Sequence, residues 1–278
     1  MLAKSAVISL VILLVWGNVV AGLKVGLACP DWPLCHGEVI PPLRWDIYAE
    51  FLHRVIGAVV SVLIVWLSVR RMRTYTGAAK AVPYLTIFLL AAQILLGGAV
   101  VLLKIPTDLT TVHFANGVLI FCLTLYMGRF ESGAGLKTSG VAGVWFALAA
   151  LVFAQSVMGA FVRHSHAGLA CGPDFPKCLG QWIPSGLSGV VLYHFSHRIL
   201  GYAVALMAVG MAVFPGTRGR SANIILISVA VQILIGVGMI HSGLQFAATA
   251  LHLLVALHIL SFGLLRWFES GSGGARPQ

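Results

Sequence analysis

The chain has 278 residues, of which 59% are hydrophobic and only 9% charged, a balance that excludes an ordinary soluble domain. Its formal net charge of +10 does not indicate nucleic-acid binding, because no polar domain is present to hold a duplex. The basic excess lies between apolar runs and reads as a topology signal.

Roughly 20 apolar residues span a bilayer as a helix. Eight such runs follow in chain order: 7–27, 48–69, 81–103, 111–129, 141–162, 190–213, 222–241 and 246–267. The first follows Lys4 and passes small residues near Ala21, as a signal peptide would. Its continuation into Gly26-Leu27-Ala28-Cys29 parallels the fifth run, so it is read as a retained helix. Lys4, then Arg70, Arg71, Arg73 and Lys80, then Arg129 and Lys137, then Arg218 and Arg220, then Arg266 and Arg276 fall on one side. That side is expected to be cytoplasmic, with both termini inside and segments 28–47 and 163–189 outside. No Arg- and Ser-rich stretch opens the chain, so a bacterial plasma (inner) membrane is the expected location.

The runs repeat. Glu50-Phe51-Leu52-His53-Arg54-Val55-Ile56-Gly57 returns 144 positions later as His194-Phe195-Ser196-His197-Arg198-Ile199-Leu200-Gly201. Gln93-Ile94-Leu95-Leu96-Gly97-Gly98 answers to Gln232-Ile233-Leu234-Ile235-Gly236-Val237, and His113 to His252. Cys29 and Cys35 answer to Cys171 and Cys178. Such self-similarity sets the architecture before any local reading. The expected fold is an all-α polytopic membrane protein of eight transmembrane helices, arranged as two tandem, pseudo-symmetric four-helix bundles over 1–138 and 139–278. Four spans per half return the chain to its starting side, so the halves share one orientation.

Both cysteine pairs lie on the oxidising side, where disulfides persist. A structural staple and a redox-active pair are both open readings for Cys29/Cys35 and for Cys171/Cys178. Cys122 is an apolar filler in the fourth run.

His53, His113, His197 and His252 each stand near the outer end of an even-numbered run. Imidazole inside a bilayer is costly, and intramembrane ionisable groups usually serve a function. Two histidines on facing helices of a bundle can ligate one haem iron from opposite sides. Two pairs therefore predict one haem site per half. Zinc would need a tight set of four ligands, which neither half supplies. Arg54 and Arg198 directly follow the first histidine of each pair and are candidates for pairing with haem propionates. Glu50 lies one helical turn before His53, facing the same pocket, and the second half has His194 instead. No role is assigned to His36, His164, His166, His241 or His258.

On these residues the chain resembles the haem A synthase family, over roughly residues 5–268. The resemblance rests on Glu50-Phe51-Leu52-His53-Arg54, His113, Cys29, Cys35, His197-Arg198 and His252. It implies oxidation of the C8 methyl of haem O to a formyl group through successive hydroxylations, giving haem A for terminal oxidases. It implies that His53 and His113 receive the substrate haem, and that His197 and His252 keep a haem b cofactor. Glu50 would assist at the reacting methyl, and the first-loop cysteines are implicated in function or as a disulfide. Partners to expect are membrane lipid, haem O, a haem O synthase, an electron acceptor such as a quinone, and a second copy of the chain; nucleic acid is not among them. A di-haem b-type electron-transfer subunit and a membrane thiol–disulfide oxidoreductase are the competing readings, with a two-repeat transporter behind them.

Overall fold

The computed structural model describes residues 1–272. Among them stand eight long helices: α1 (Leu2–Gly22), α2 (Trp45–Thr74), α3 (Ala81–Leu102), α4 (Thr107–Arg129), α5 (Gly140–His164), α6 (Gly189–Val213), α7 (Arg220–His241) and α8 (Phe246–Gly271). All eight are long and apolar enough to cross a membrane. A helix satisfies its backbone internally, which a lipid environment demands. Large apolar side chains such as Phe88, Leu95, Leu206 and Leu234 stay exposed on the helix faces, as lipid-facing residues do. Arg276, counted among the inner basic residues, lies outside the described residues.

The helix ends depart from the hydropathy reading for local reasons. The first apolar run extends to 27, but α1 stops at Gly22. Lys24 takes the left-handed conformation (φ 60°), and Val25 N–H donates back to Val20 O at 3.2 Å. This turn satisfies carbonyls the helix end leaves orphaned. The same closure ends α3 at Lys104, α5 at His166 and α7 at Gly243, so all four odd-numbered helices finish alike. In contrast, α2 runs past its apolar stretch through Arg70, Arg71 and Arg73. Arg71 is buried there because its Nε–H donates to Met127 O at 2.9 Å and its Nη1 to Glu131 O at 3.3 Å.

The described residues divide into two compact units, Met1–Lys137 with 268–272, and Thr138–Trp267. In the first, α1 packs against α2 and α4, and α3 against the same two, so the four helices close a ring. Its core is built from Val60, Ile64, Leu67, Val118, Ile120, Phe121 and Met127. Phe268, in the last turn of α8, joins this unit through ring contacts with Tyr126 (5.6 Å) and Phe130 (5.8 Å). The sequence boundary at 138/139 had left all of α8 in the second half. In the second unit α6 packs between α5 and α7. There α8 meets α5 through Trp145–Phe262 and Phe146–Trp267.

Candidate functional site

Each unit carries a disulfide-closed loop that folds onto the first turns of its second helix. Cys29–Cys35 and Cys171–Cys178 are both bonded, with Cα atoms 4.7 and 4.5 Å apart. All four cysteines are at most 1% exposed. A one-residue antiparallel bridge ties Cys35 to Glu38 and Cys178 to Gln181, and both loops contain a cis X-Pro bond, at Pro33 and at Pro176.

In the first unit the loop is built around carboxylates. Asp31 accepts from the backbone N–H groups of His36 and Gly37, both at 2.7 Å. The Gly37 N–H, with that of His36 adding to it, holds the Asp31 carboxyl below its usual range. Farther in, Glu50 on α2 is buried. Its Oε2 accepts from Cys29 N–H at 2.8 Å, and its Oε1 from Arg54 Nη2 at 2.6 Å. Arg54 also donates to the carbonyls of Cys29 (2.9 Å), Asp31 (2.8 Å) and Leu34 (2.6 Å). Four of its N–H groups are thus engaged within the chain, leaving Nε–H. Trp32 lies against α3, where a Cβ on Gly98 would stand 2.9 Å from its Cδ2.

The second unit repeats this clasp with an imidazole. His194 is buried, with Cys171 N–H donating to its Nδ1 at 3.3 Å and Arg198 Nε lying 3.4 Å from its Nε2. A neutral imidazole has one acceptor nitrogen, so only one of these contacts can be a full hydrogen bond. Arg198 donates besides to the carbonyls of Gly172, Asp174 and Lys177.

Below the loops stand the four repeated histidines, all half-buried. His53 and His113 are close enough to interact electrostatically, and so are His197 and His252. The Nδ1 atom of each is buried without a hydrogen-bond partner. Every ring leans its Cε1 edge on a glycine of the preceding helix: His53 on Gly17, His113 on Gly97, His197 on Gly159 and His252 on Gly236. The amides around them differ. Asn116 Nδ2 donates to Leu89 O (2.9 Å) and to Gln93 Oε1 (2.7 Å), which turns the Gln93 NH2 toward His113 Nε2 at 3.3 Å. A donor at that position requires the lone pair on Nε2 and the proton on Nδ1. In the second unit Gln155 Nε2 donates to His197 O at 3.0 Å and stands 3.5 Å from the ring Nε2.

The family model of the cytochrome oxidase assembly proteins (COX15-CtaA) matches residues 1–264. The chain belongs to this family. Among its relatives, the heme A synthase of Halalkalibacterium halodurans is 35% identical over 73% of this chain and 71% of its own length. That of Alkalihalophilus pseudofirmus is 30% identical over 93% and 90%, and that of Symbiobacterium thermophilum 34% identical over 75% and 71%.

Glu50 and Arg54 meet the Cys29–Cys35 loop at the head of α2, with His53 on the adjoining turn, and His194 and Arg198 meet the Cys171–Cys178 loop at the head of α6, with His197 on the adjoining turn. His36 is bound up in its loop, with Nε2 2.8 Å from Ala28 O. Sequence reading overlooked Gly17, Gly159, Gln155 and Asn116. A signal existed for the glycines: Gly17 and Gly159 share the 142-position offset of Cys29 and Cys171.

Proposed function

We propose that this protein oxidises the C8 methyl of haem O to a formyl group, giving haem A. Haem O is taken between His53 and His113, while His197 and His252 keep a haem b. The observation that carries the reading is the pairing of equivalent imidazoles in both units with a buried carboxylate beside only one pair. The donors fit a porphyrin iron. Each unit offers two imidazoles whose rings are seated where a Cβ would intrude and whose Nδ1 atoms have no protein partner, and His113 carries on Nε2 the lone pair a metal needs, which the Gln93 NH2 meets at 3.3 Å and would yield to the iron. When bound, haem b supplies one-electron transfer.

The residues of the first unit divide the remaining work. His53 and His113 fix the substrate macrocycle, so that its methyl is presented at a constant place. Glu50, one turn from His53, stabilises positive charge developing at the methyl carbon or takes the proton of the incoming hydroxyl. Arg54 and Cys29 N–H hold its two oxygens, so the carboxylate is oriented before substrate arrives. Arg54 and Arg198 could reach a propionate through the N–H groups their loops leave open, or by exchanging a loop carbonyl for it. The clasp on the loop is their primary role here. Burial of all four loop cysteines supports staples over pairs that exchange with a partner.

We further propose a multi-pass protein of the bacterial plasma membrane with both termini inside, receiving haem O from its synthase and passing electrons to a quinone-class acceptor. The test is expression with a haem O supply, followed by chromatography of the extracted haems. Haem A is expected from the native chain. From Glu50→Gln, haem O should accumulate with haem B retained. Haem B as the only extracted haem of the native chain would instead support a di-haem electron carrier.

A further inference from the structure

We infer that Gly17, Gly97, Gly159 and Gly236 are positioning residues for haem, seats whose missing Cβ sets the place and plane of His53, His113, His197 and His252. The inference rests on the ligand reading above and assigns a role to residues on the other four helices. Each histidine stands on an even-numbered helix, and each glycine on the odd-numbered helix before it. A Cβ added at Gly17 would lie 2.9 Å from His53 Cε1, at Gly159 3.0 Å from His197 Cε1, at Gly97 3.2 Å from His113 Cε1, and at Gly236 3.3 Å from His252 Cε1. The ring orientation is shared. Nδ1 is the next atom from each seat, at 3.4, 3.5, 3.8 and 3.8 Å in the same order. Nε2 is farther still from the first three, at 3.6, 3.9 and 4.0 Å. In all four rings the supporting helix therefore meets the Cε1–Nδ1 edge first.

Glycine is among the least favourable helix residues, and each of these stands inside the last two turns of its helix, so four of them at four equivalent contacts call for a packing reason. Glycines of the same helices and neighbours supply the contrast. Gly238, two residues beyond Gly236, and Gly210 on α6 would meet nothing within 4 Å. Alanine at a seat would displace the ring by tenths of an ångström, and metal ligands tolerate little more than that. Alanine also raises helix propensity, so lost haem in a folded variant reports the seat rather than the helix.

The experiment uses the full chain purified in detergent, with Gly17, Gly97, Gly159 and Gly236 each changed to Ala and Gly238→Ala as control. Haem per protein and the low-spin electron paramagnetic resonance g-values report the resident site, hemin titration reports the first unit, and size exclusion with thermal melting reports the fold. Gly159→Ala should lose about tenfold or more of its haem retention, on the scale of an overpacked core contact. Gly236→Ala should lose less but shift the g-values. Gly17→Ala and Gly97→Ala should keep the resident spectrum yet bind added hemin about tenfold more weakly in the first unit. Gly238→Ala should match the native protein. Full haem with unshifted g-values in Gly159→Ala and Gly236→Ala would overturn the seats; should Gly159→Ala not fold, the milder Gly236→Ala decides. His197→Ala and His252→Ala belong in the same set. If they also keep their haem, the ligand reading has failed; if they lose it while the glycine variants do not, only the seats fall.

Discussion

The loop before α2 closes onto a carboxylate, and the loop before α6 closes onto an imidazole. Otherwise the two junctions are built alike: a buried disulfide, an arginine donating to three loop carbonyls, and a cysteine N–H aimed at the residue one turn before the repeated histidine. The contacts to Glu50 are 2.8 and 2.6 Å, whereas those around His194 are 3.3 and 3.4 Å. A carboxylate has acceptors for both donors and an imidazole has only one. The imidazole junction shows that a loop clasp alone does not require an acid. A buried carboxylate is costly even when paired, and its presence in one unit only is the argument for chemistry there. The aromatic in the loop diverges as well. Trp32 rests on Gly98, whereas Phe175 meets the Tyr202 ring (6.2 Å) beneath the Arg198 guanidinium.

Exchanging the two residues sharpens this comparison most. Glu50→His gives the first unit the clasp of the second. We expect it to retain its loop and its haem B while haem A formation falls a hundredfold or more, within the roughly 10²- to 10⁴-fold range of general acid–base catalysis. Extracted-haem chromatography reads the result, and normal haem A output from this variant would reduce Glu50 to a clasp. His194→Glu, the reverse exchange, should leave haem A formation within about twofold of native, because the second unit holds no substrate methyl in this account.

Opening the disulfides separates position from stability. Each short loop should contribute about 2 kcal/mol, so replacing either pair by serine lowers the melting temperature by a few degrees. Cys29→Ser with Cys35→Ser should also cut haem A formation about tenfold, since Cys29 N–H orients Glu50. Cys171→Ser with Cys178→Ser should not. Equal losses in both double variants would mean that the loops act through folding alone.

The smallest effect concerns Asp31. Its carboxyl is held below the ordinary value chiefly by Gly37 N–H. A depressed carboxyl contributes its stabilisation above the unfolded value of about 4, and loses it as pH falls through the folded value. Amide protection of His36 and Gly37, corrected for intrinsic exchange, should therefore decline under acid in the native chain and be lower and flat with pH in Asp31→Asn. The corresponding turn of the second loop is held by Leu179 N–H on Cys171 O, a backbone contact that does not titrate. It should show no such decline.

Hydropathy and the internal repeat made eight helices and four histidines legible, because lipid imposes length and the duplication labels equivalent positions. The helix ends were less legible. Lys24, rather than a glycine, takes the left-handed conformation that closes α1 five residues early, and Arg71 keeps α2 helical by finding a carbonyl on α4. Arg54 illustrates a further gap. Its sequence position beside His53 suggests a haem contact, while the backbone carbonyls it holds carry no side-chain signature. The glycine seats were readable as repeated letters, but their meaning lies in an absent atom facing another helix.

The central claim is that paired imidazoles take one haem in each unit, with chemistry confined to the pair beside Glu50. The most direct measurement is the reduced-minus-oxidised spectrum of purified His252→Ala and His113→Ala alongside the native chain. We predict that His252→Ala loses the resident haem signal, whereas His113→Ala keeps it and yields no haem A. Unchanged spectra in His252→Ala, or haem A from His113→Ala at the native level, would contradict the account.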